Sequence, residues 1–361
     1  MNEPSNQEGR LYSLDLLRLW AIILVVTGHC LRVFVPGFLN TTFNNFLWLS
    51  EMPLFFFVAG YVHTKPEKID TILKFLLSVL KKAFWDFWPI ITFALIRVYC
   101  FHQYPDFPTA YDLFIKNPAE GLWFFFVLFF VDFFFSFGTY LSHFFWRSVT
   151  KKMLPLATFL TFWVVLFVLY ETKVADGNYL GVEMALRYGF FYAIGYIVFK
   201  VAPHLDEKKK SVQLFLWITY GVCLSAFIAV CLVVPSIFGL DLTFFPNHLL
   251  LFFGGVASTF VFYLQAFVLA HFRFFQTLSF GGRFTGDVYW AQPNLIKWWP
   301  HWVADTVALQ WLSGFALGGL VFLFVGLGVL LCYFVPFLHF GFFFRPYSRY
   351  PFERKWLALF R

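Results

Sequence analysis

Ser13-Leu-Asp-Leu-Leu-Arg-Leu-Trp-Ala-Ile-Ile-Leu-Val-Val-Thr-Gly-His29-Cys-Leu-Arg32 is long and apolar enough to cross a bilayer, yet it carries an aspartate, two arginines and a histidine. Charge is costly in hydrocarbon, so ionisable groups within a span face the protein interior or a wet cavity and mark a site. Helical geometry sharpens this. At about 100° per residue, Arg18 and His29 fall roughly 60° and 40° from Asp15, on one stripe, with His29 roughly 16 Å along the axis from Arg18.

The rest of the chain agrees with a span. Of 361 residues, 60% are hydrophobic and 13% charged, and the mean hydropathy is +0.70. Soluble domains carry about 25% charged residues. Apolar runs approaching the ~20 residues needed for a ~30 Å core recur throughout. The expected fold is all-α, a polytopic bundle of about ten spans near 12–35, 43–62, 83–101, 121–141, 153–171, 183–201, 212–234, 248–271, 285–302 and 307–333. Pro293, Asp287 and Lys297 make the ninth the least regular. The stretch from Ile69 to Lys82 mixes apolar residues with Lys74, Lys81 and Lys82 and reads as an interfacial helix leading into the third span.

With the N-terminus inside, twenty of the 27 Lys and Arg fall in segments facing the cytoplasm. Three (Lys116, Lys173 and Lys297) fall outside, and four lie within spans. The positive-inside rule therefore puts both termini in the cytoplasm. The net charge of +7 then reflects topology and anionic lipid, and no nucleic-acid motif accompanies it. Polar Met1 to Gly9 reads as the start of an uncleaved signal anchor. The five cysteines lie in or beside apolar runs, with no spacing suited to zinc, so no metal is expected. No appended soluble domain and no internal repeat is visible.

Other charges invite pairing. Glu51, on the second span, lies near the depth of His29 and Arg32. It could orient the imidazole for general-base work or neutralise Arg32. Asp132, midway along the fourth span, needs a partner, and Arg18 has a suitable depth. Asp86 follows Lys82 by one helical turn and would pair with it. Arg97 would anchor by snorkelling. Trp123 would be an interface anchor or a ligand platform.

Ser-Leu-Asp-x-x-Arg followed eleven residues later by His29 resembles the acyltransferase 3 family of membrane O-acyltransferases. Met52-Pro-Leu-Phe-Phe-Phe-Val-Ala-Gly-Tyr61, Gly121-Leu-Trp-Phe124, Arg187 and Phe190-Phe-Tyr-Ala-Ile-Gly-Tyr196 continue the resemblance in order. It is closest to members without an extracytoplasmic esterase-like domain, such as sugar O-acetylases. The resemblance implies an acyltransferase acting on groups other than aminoacyl groups. It would move an acetyl or similar short acyl group from cytoplasmic acetyl-CoA, or another acyl-CoA, to a hydroxyl of a cell-surface sugar, glycan or glycolipid. The setting would be multi-pass, in a bacterial cytoplasmic membrane. The domain would run over 12–335, between a cytoplasmic segment 1–11 and a basic cytoplasmic tail 336–361.

On this resemblance His29 is the essential histidine, as general base or transient acyl carrier, with Glu51 and Asp15 beside it in catalysis. Arg18 would pair with Asp15 or bind a donor phosphate. Lys81 and Lys82 would hold the CoA headgroup or serve as positive-inside anchors. Arg32, Trp123 and Arg187 would meet the acceptor. Two positions depart from the family. Glu51 stands where histidine is frequent, and Gly282-Arg-Phe-Thr-Gly-Asp-Val-Tyr-Trp-Ala-Gln292 ends in glutamine where the family pattern ends in histidine. A polar-substrate transporter or flippase, or a relative without catalysis, is the alternative reading of the same buried charges.

Overall fold

The computed structural model describes residues 12–62, 71–116, 123–145, 150–171, 181–201, 209–233, 245–298 and 306–334. They form α1 (Tyr12–Phe34), α2 (Thr42–Val62), α3 (Ile72–Tyr99), α4 (Phe107–Lys116), α5 (Trp123–Phe145), α6 (Thr150–Glu171), α7 (Val182–Val201), α8 (Lys210–Val233), α9 (Phe245–Leu269), α10 (Arg273–Leu278), α11 (Thr285–Trp298) and α12 (Val307–Phe334). Short 3-10 turns at Phe38–Asn40 and Ser279–Phe284 complete the set, with no strand among the described residues. The chain is an all-helical, multi-pass membrane protein. Each of the ten expected segments contains a helix, and six helices (α1, α2, α5, α8, α9 and α12) are long and apolar enough to cross a bilayer.

One expected boundary disappears. The interfacial helix and third span are a single 28-residue helix, α3. At 1.5 Å per residue it is about 42 Å long, more than a ~30 Å core requires. Ile72, Leu73, Leu76, Leu77 and Leu80 stay on its outer surface, and the helix runs on without a break between Lys82 and Ala83.

The chain divides into two compact units, Met1–Thr64 with Phe190–Gly319, and Lys65–Gly189 with Leu320–Arg361. Aromatic packing dominates the second. Phe87 of α3 meets Phe126 and Phe129 of α5 with ring centroids 5.3 and 5.0 Å apart, and Phe135 of α5 meets Phe159 of α6 at 5.0 Å. These are favourable offset and edge geometries. They give employment to part of the chain's 57 phenylalanines.

In the first unit, α2 and α7 approach backbone to backbone. A Cβ added at Gly60 would lie 1.9 Å from the Tyr192 carbonyl oxygen, and one at Gly195 would lie 2.0 Å from that of Phe57. Small residues permit such crossings in membranes, where van der Waals contact replaces the hydrophobic drive. Within α2, Pro53 has no N–H to give the Leu49 carbonyl one turn back. Ser258 of α9 supplies the missing donor, its Oγ 2.6 Å from that oxygen.

Buried polarity locates the interior site. Among the described residues, every buried polar or charged side chain except Arg97 and Asp132 belongs to the first unit.

Candidate active site

α1 supplies the axis of this polar interior. Asp15 in its first turn is buried and accepts a bond from Arg18 Nη1 at 3.3 Å, one turn on. An acidic residue here also complements the helix dipole. The turn Ser279–Phe284 holds this end of α1 closely, for a Cβ at Gly282 would fall 1.8 Å from the Asp15 carbonyl oxygen.

At the other end of α1, Arg32 closes a network with α2. Its Nη2 lies 3.5 Å from Glu51 Oε1. Its Nε and Nη2 donate to Asn44 Oδ1 at 3.4 and 3.3 Å. Asn44 is fully buried, and its orientation is fixed from the other side, because Nδ2 donates to the Leu39 carbonyl at 3.1 Å. The backbone N–H of Asn44 donates to Thr41 Oγ1 at 3.1 Å, and that hydroxyl donates to the Phe38 carbonyl at 2.7 Å. Short polar residues at the start of α2 thus hold a guanidinium in place at a depth where a lone charge would be costly.

Glu51 is 4% exposed. Its Oε1 faces Arg32, while Oε2 has no hydrogen-bond partner among the described residues. That oxygen lies against α1 at Gly28, where a Cβ would come within 3.2 Å of it. The carboxylate therefore neutralises Arg32 and reaches the turn of His29 without orienting the imidazole. Of the two parts expected for Glu51, the geometry describes the pairing with Arg32.

His29 retains partial surface exposure between buried Gly28 and Cys30. The side chain facing its ring is Gln292 of α11. Gln292 is fully buried, and neither amide atom completes a hydrogen bond of standard geometry with a described residue. Asn294, two residues on, is buried and likewise incomplete. A buried amide without its bonds costs about 1–3 kcal/mol. Such groups persist where a ligand or a small adjustment completes them.

The remaining expected site residues belong to the second unit. Lys82 of α3 forms an ion pair with Asp132 of α5. Asp132, for which Arg18 has a suitable depth in the sequence, thus pairs with Lys82, while Arg18 bonds Asp15; Lys82 reaches across to α5 in addition to any tie along α3. Lys81 is exposed and Arg187 half-buried. Trp123 stacks on Tyr188 with ring centroids 5.3 Å apart and planes 24° from parallel, a structural contact for its indole face. Arg97 is buried, bonds Gln103 Oε1 at 2.8 Å and lies over the Phe93 ring at 4.8 Å, which is an anchoring role. Among the described residues no three His, Cys, Asp or Glu side chains gather as a metal site. The terminal segments 1–11 and 336–361 lie outside the described residues.

Neither Asn44 nor Asn294 belongs to a motif that marks it in the sequence. Asn44 was legible only as part of a polar start to α2. Asn294 stands beside Pro293 in the least regular span, where polarity weakened the helix signal.

The profile described as an acyltransferase domain, Acyl_transf_3, matches residues 11–335, nearly the whole chain. No curated protein and no solved structure matches significantly.

Proposed function

The chain belongs to the acyltransferase 3 family, and from that membership we propose that it is a membrane O-acyltransferase working at His29. The observation that carries this reading is a partly accessible histidine set in the polar interior of the first unit, flanked by the Arg32–Asn44–Glu51 network and faced by an amide.

In the proposed reaction the neutral imidazole accepts the proton of an acceptor hydroxyl as its oxygen attacks the thioester carbonyl of an acyl-CoA. The tetrahedral intermediate then expels the CoA thiolate, the C–S bond breaks and an ester forms. The thiolate takes the proton back from the imidazolium, so the histidine ends as it began. Acetyl-CoA is the proposed donor, and a hydroxyl of a surface sugar, glycan or glycolipid the proposed acceptor. Ten spans with both termini cytoplasmic would let the donor arrive from the basic inner side. Arg18, bonded to Asp15 with its side chain 31% exposed, suits contact with a donor phosphate better than a fully enclosed cation would. Lys82 is engaged with Asp132, so Lys81 is the more available of the two lysines for a CoA phosphate.

The test uses the full chain in inverted membrane vesicles with acetyl-labelled CoA, comparing wild type with His29→Ala. Transfer of label to glycan or glycolipid should fall at least about a hundred-fold, the lower end of general-base contributions. Undiminished transfer by a mutant with unaltered thermal unfolding would remove His29 from the chemistry. Movement of a polar solute with no CoA released would favour a transporter instead.

A further inference from the structure

The imidazole of a general base needs one nitrogen free and the other held. In its neutral form the ring has one N–H donor and one acceptor nitrogen, and the N–H requires a partner when it is removed from water. Acyl-transfer sites commonly supply a carboxylate or an amide oxygen for that purpose, which fixes tautomer and orientation together.

In this chain the nearby carboxylate does not hold the ring: Glu51 Oε1 faces Arg32, and its Oε2 lies against Gly28 with no hydrogen bond to His29 or to any other described residue. α11 packs against α1 and places Gln292 opposite His29, fully buried, with both amide atoms lacking a completed hydrogen bond of standard geometry. An enclosed amide of this kind has an unused acceptor and an unused donor. The acceptor matches the ring N–H. The donor would remain available to the carbonyl oxygen of the thioester, where negative charge develops during attack.

We propose that Gln292 is the positioning residue of His29: its carboxamide oxygen accepts the imidazole N–H and so presents the other ring nitrogen to the acceptor hydroxyl. The amide stays neutral throughout, so no second charge is buried beside the Arg32–Glu51 pair. The departure at position 292 is then a working part of this site. The proposal rests on His29 being the base.

Three variants test it in the full-length protein: Gln292→Leu, of similar volume with no polar atom, Gln292→Glu, which keeps a carbonyl oxygen at the same reach, and His29→Ala. Gln292→Leu should lower kcat about ten- to a hundred-fold with the KM for acetyl-CoA unchanged. Gln292→Glu should recover most of that loss. Nitrogen-15 spectra of labelled histidine should show one His29 tautomer in wild type and a mixture in Gln292→Leu. Wild-type kcat in Gln292→Leu would overturn the proposal, as would an equal loss in Gln292→Glu. If Gln292→Leu fails to fold, the Gln292→Glu kcat and its His29 tautomer decide alone. An active His29→Ala would instead overturn the base assignment, so the two failures are distinguishable.

Discussion

Ser258→Ala tests how α2 is held where it carries Glu51. Pro53 leaves the Leu49 carbonyl without its helical donor, and Ser258 Oγ covers that oxygen at 2.6 Å. The same hydroxyl lies 2.9 Å from the Gly255 carbonyl, but Thr259 already donates there at 2.7 Å. One proton serves one acceptor, so the bond to Leu49 is the one at stake. Interhelical bonds in membrane proteins average about 0.6 and reach about 1.7 kcal/mol, whereas an orphaned buried carbonyl costs about 1–3. The overlap predicts a loss of about 1–2 kcal/mol. Pro53→Ala would restore a backbone N–H at position 53, and in that background the hydroxyl should matter about 1 kcal/mol less. The assay is reversible unfolding of the four proteins in mixed micelles, analysed as a double-mutant cycle. Additive losses, within about 0.5 kcal/mol, would refute the claim that Ser258 replaces the donor Pro53 lacks.

Arg32→Leu strands the buried Glu51 carboxylate and should destabilise by about 3–5 kcal/mol; adding Glu51→Gln should recover much of this in the same unfolding assay. Gly60→Ala would press a methyl to 1.9 Å from the Tyr192 carbonyl oxygen, so well-folded yield by size exclusion should collapse, while Gly28→Ala, at 3.2 Å from Glu51 Oε2, should fold and lose activity. Lys82→Ala should destabilise the second unit, and Lys82→Ala with Asp132→Ala should fold better than Lys82→Ala alone; an unchanged KM for acetyl-CoA in the double variant would make Lys82 a structural cation. Asp106 caps α4 by accepting the Thr109 N–H at 2.7 Å, and the Thr109 bonds hold its carboxyl below the ordinary value. The carboxylate's contribution is therefore complete above the unfolded value near ~3.9 and is lost as pH falls through the lowered one. Amide exchange at Thr109 should be protected at pH ~5 and lose that protection only well below pH ~3.9, and Asp106→Ala should lack it throughout.

Much of the architecture was legible because apolar length and helical period are local properties of the chain. The stripe of Asp15, Arg18 and His29 followed from spacing alone, and its first pair is present. Pairings between helices were harder. Asp132 had a depth match in Arg18 and Lys82 had a one-turn match in Asp86, yet Lys82 and Asp132 meet across α3 and α5. Depth and helical phase narrow the choice of partner, but the lateral order of helices decides it. Gln292 shows the same limit. Its chemistry was visible as a substitution in a motif, while its place opposite His29 depends on α11 returning to α1 after most of the chain has been threaded. The α3 boundary was misplaced for another reason: lysines suggest an interface, but a long helix can carry them without stopping.

The Arg32 network constrains motion as well as charge. Its guanidinium joins α1 to Asn44 and Glu51 of α2, and Asn44 is tied in turn to the turn between the helices. A histidine mounted on such a braced hairpin has little freedom to travel through the thickness of the bilayer. On the proposed chemistry, donor and acceptor would both come to a stationary His29, and any carriage of the acyl group over distance would fall to the flexible arm of its own thioester.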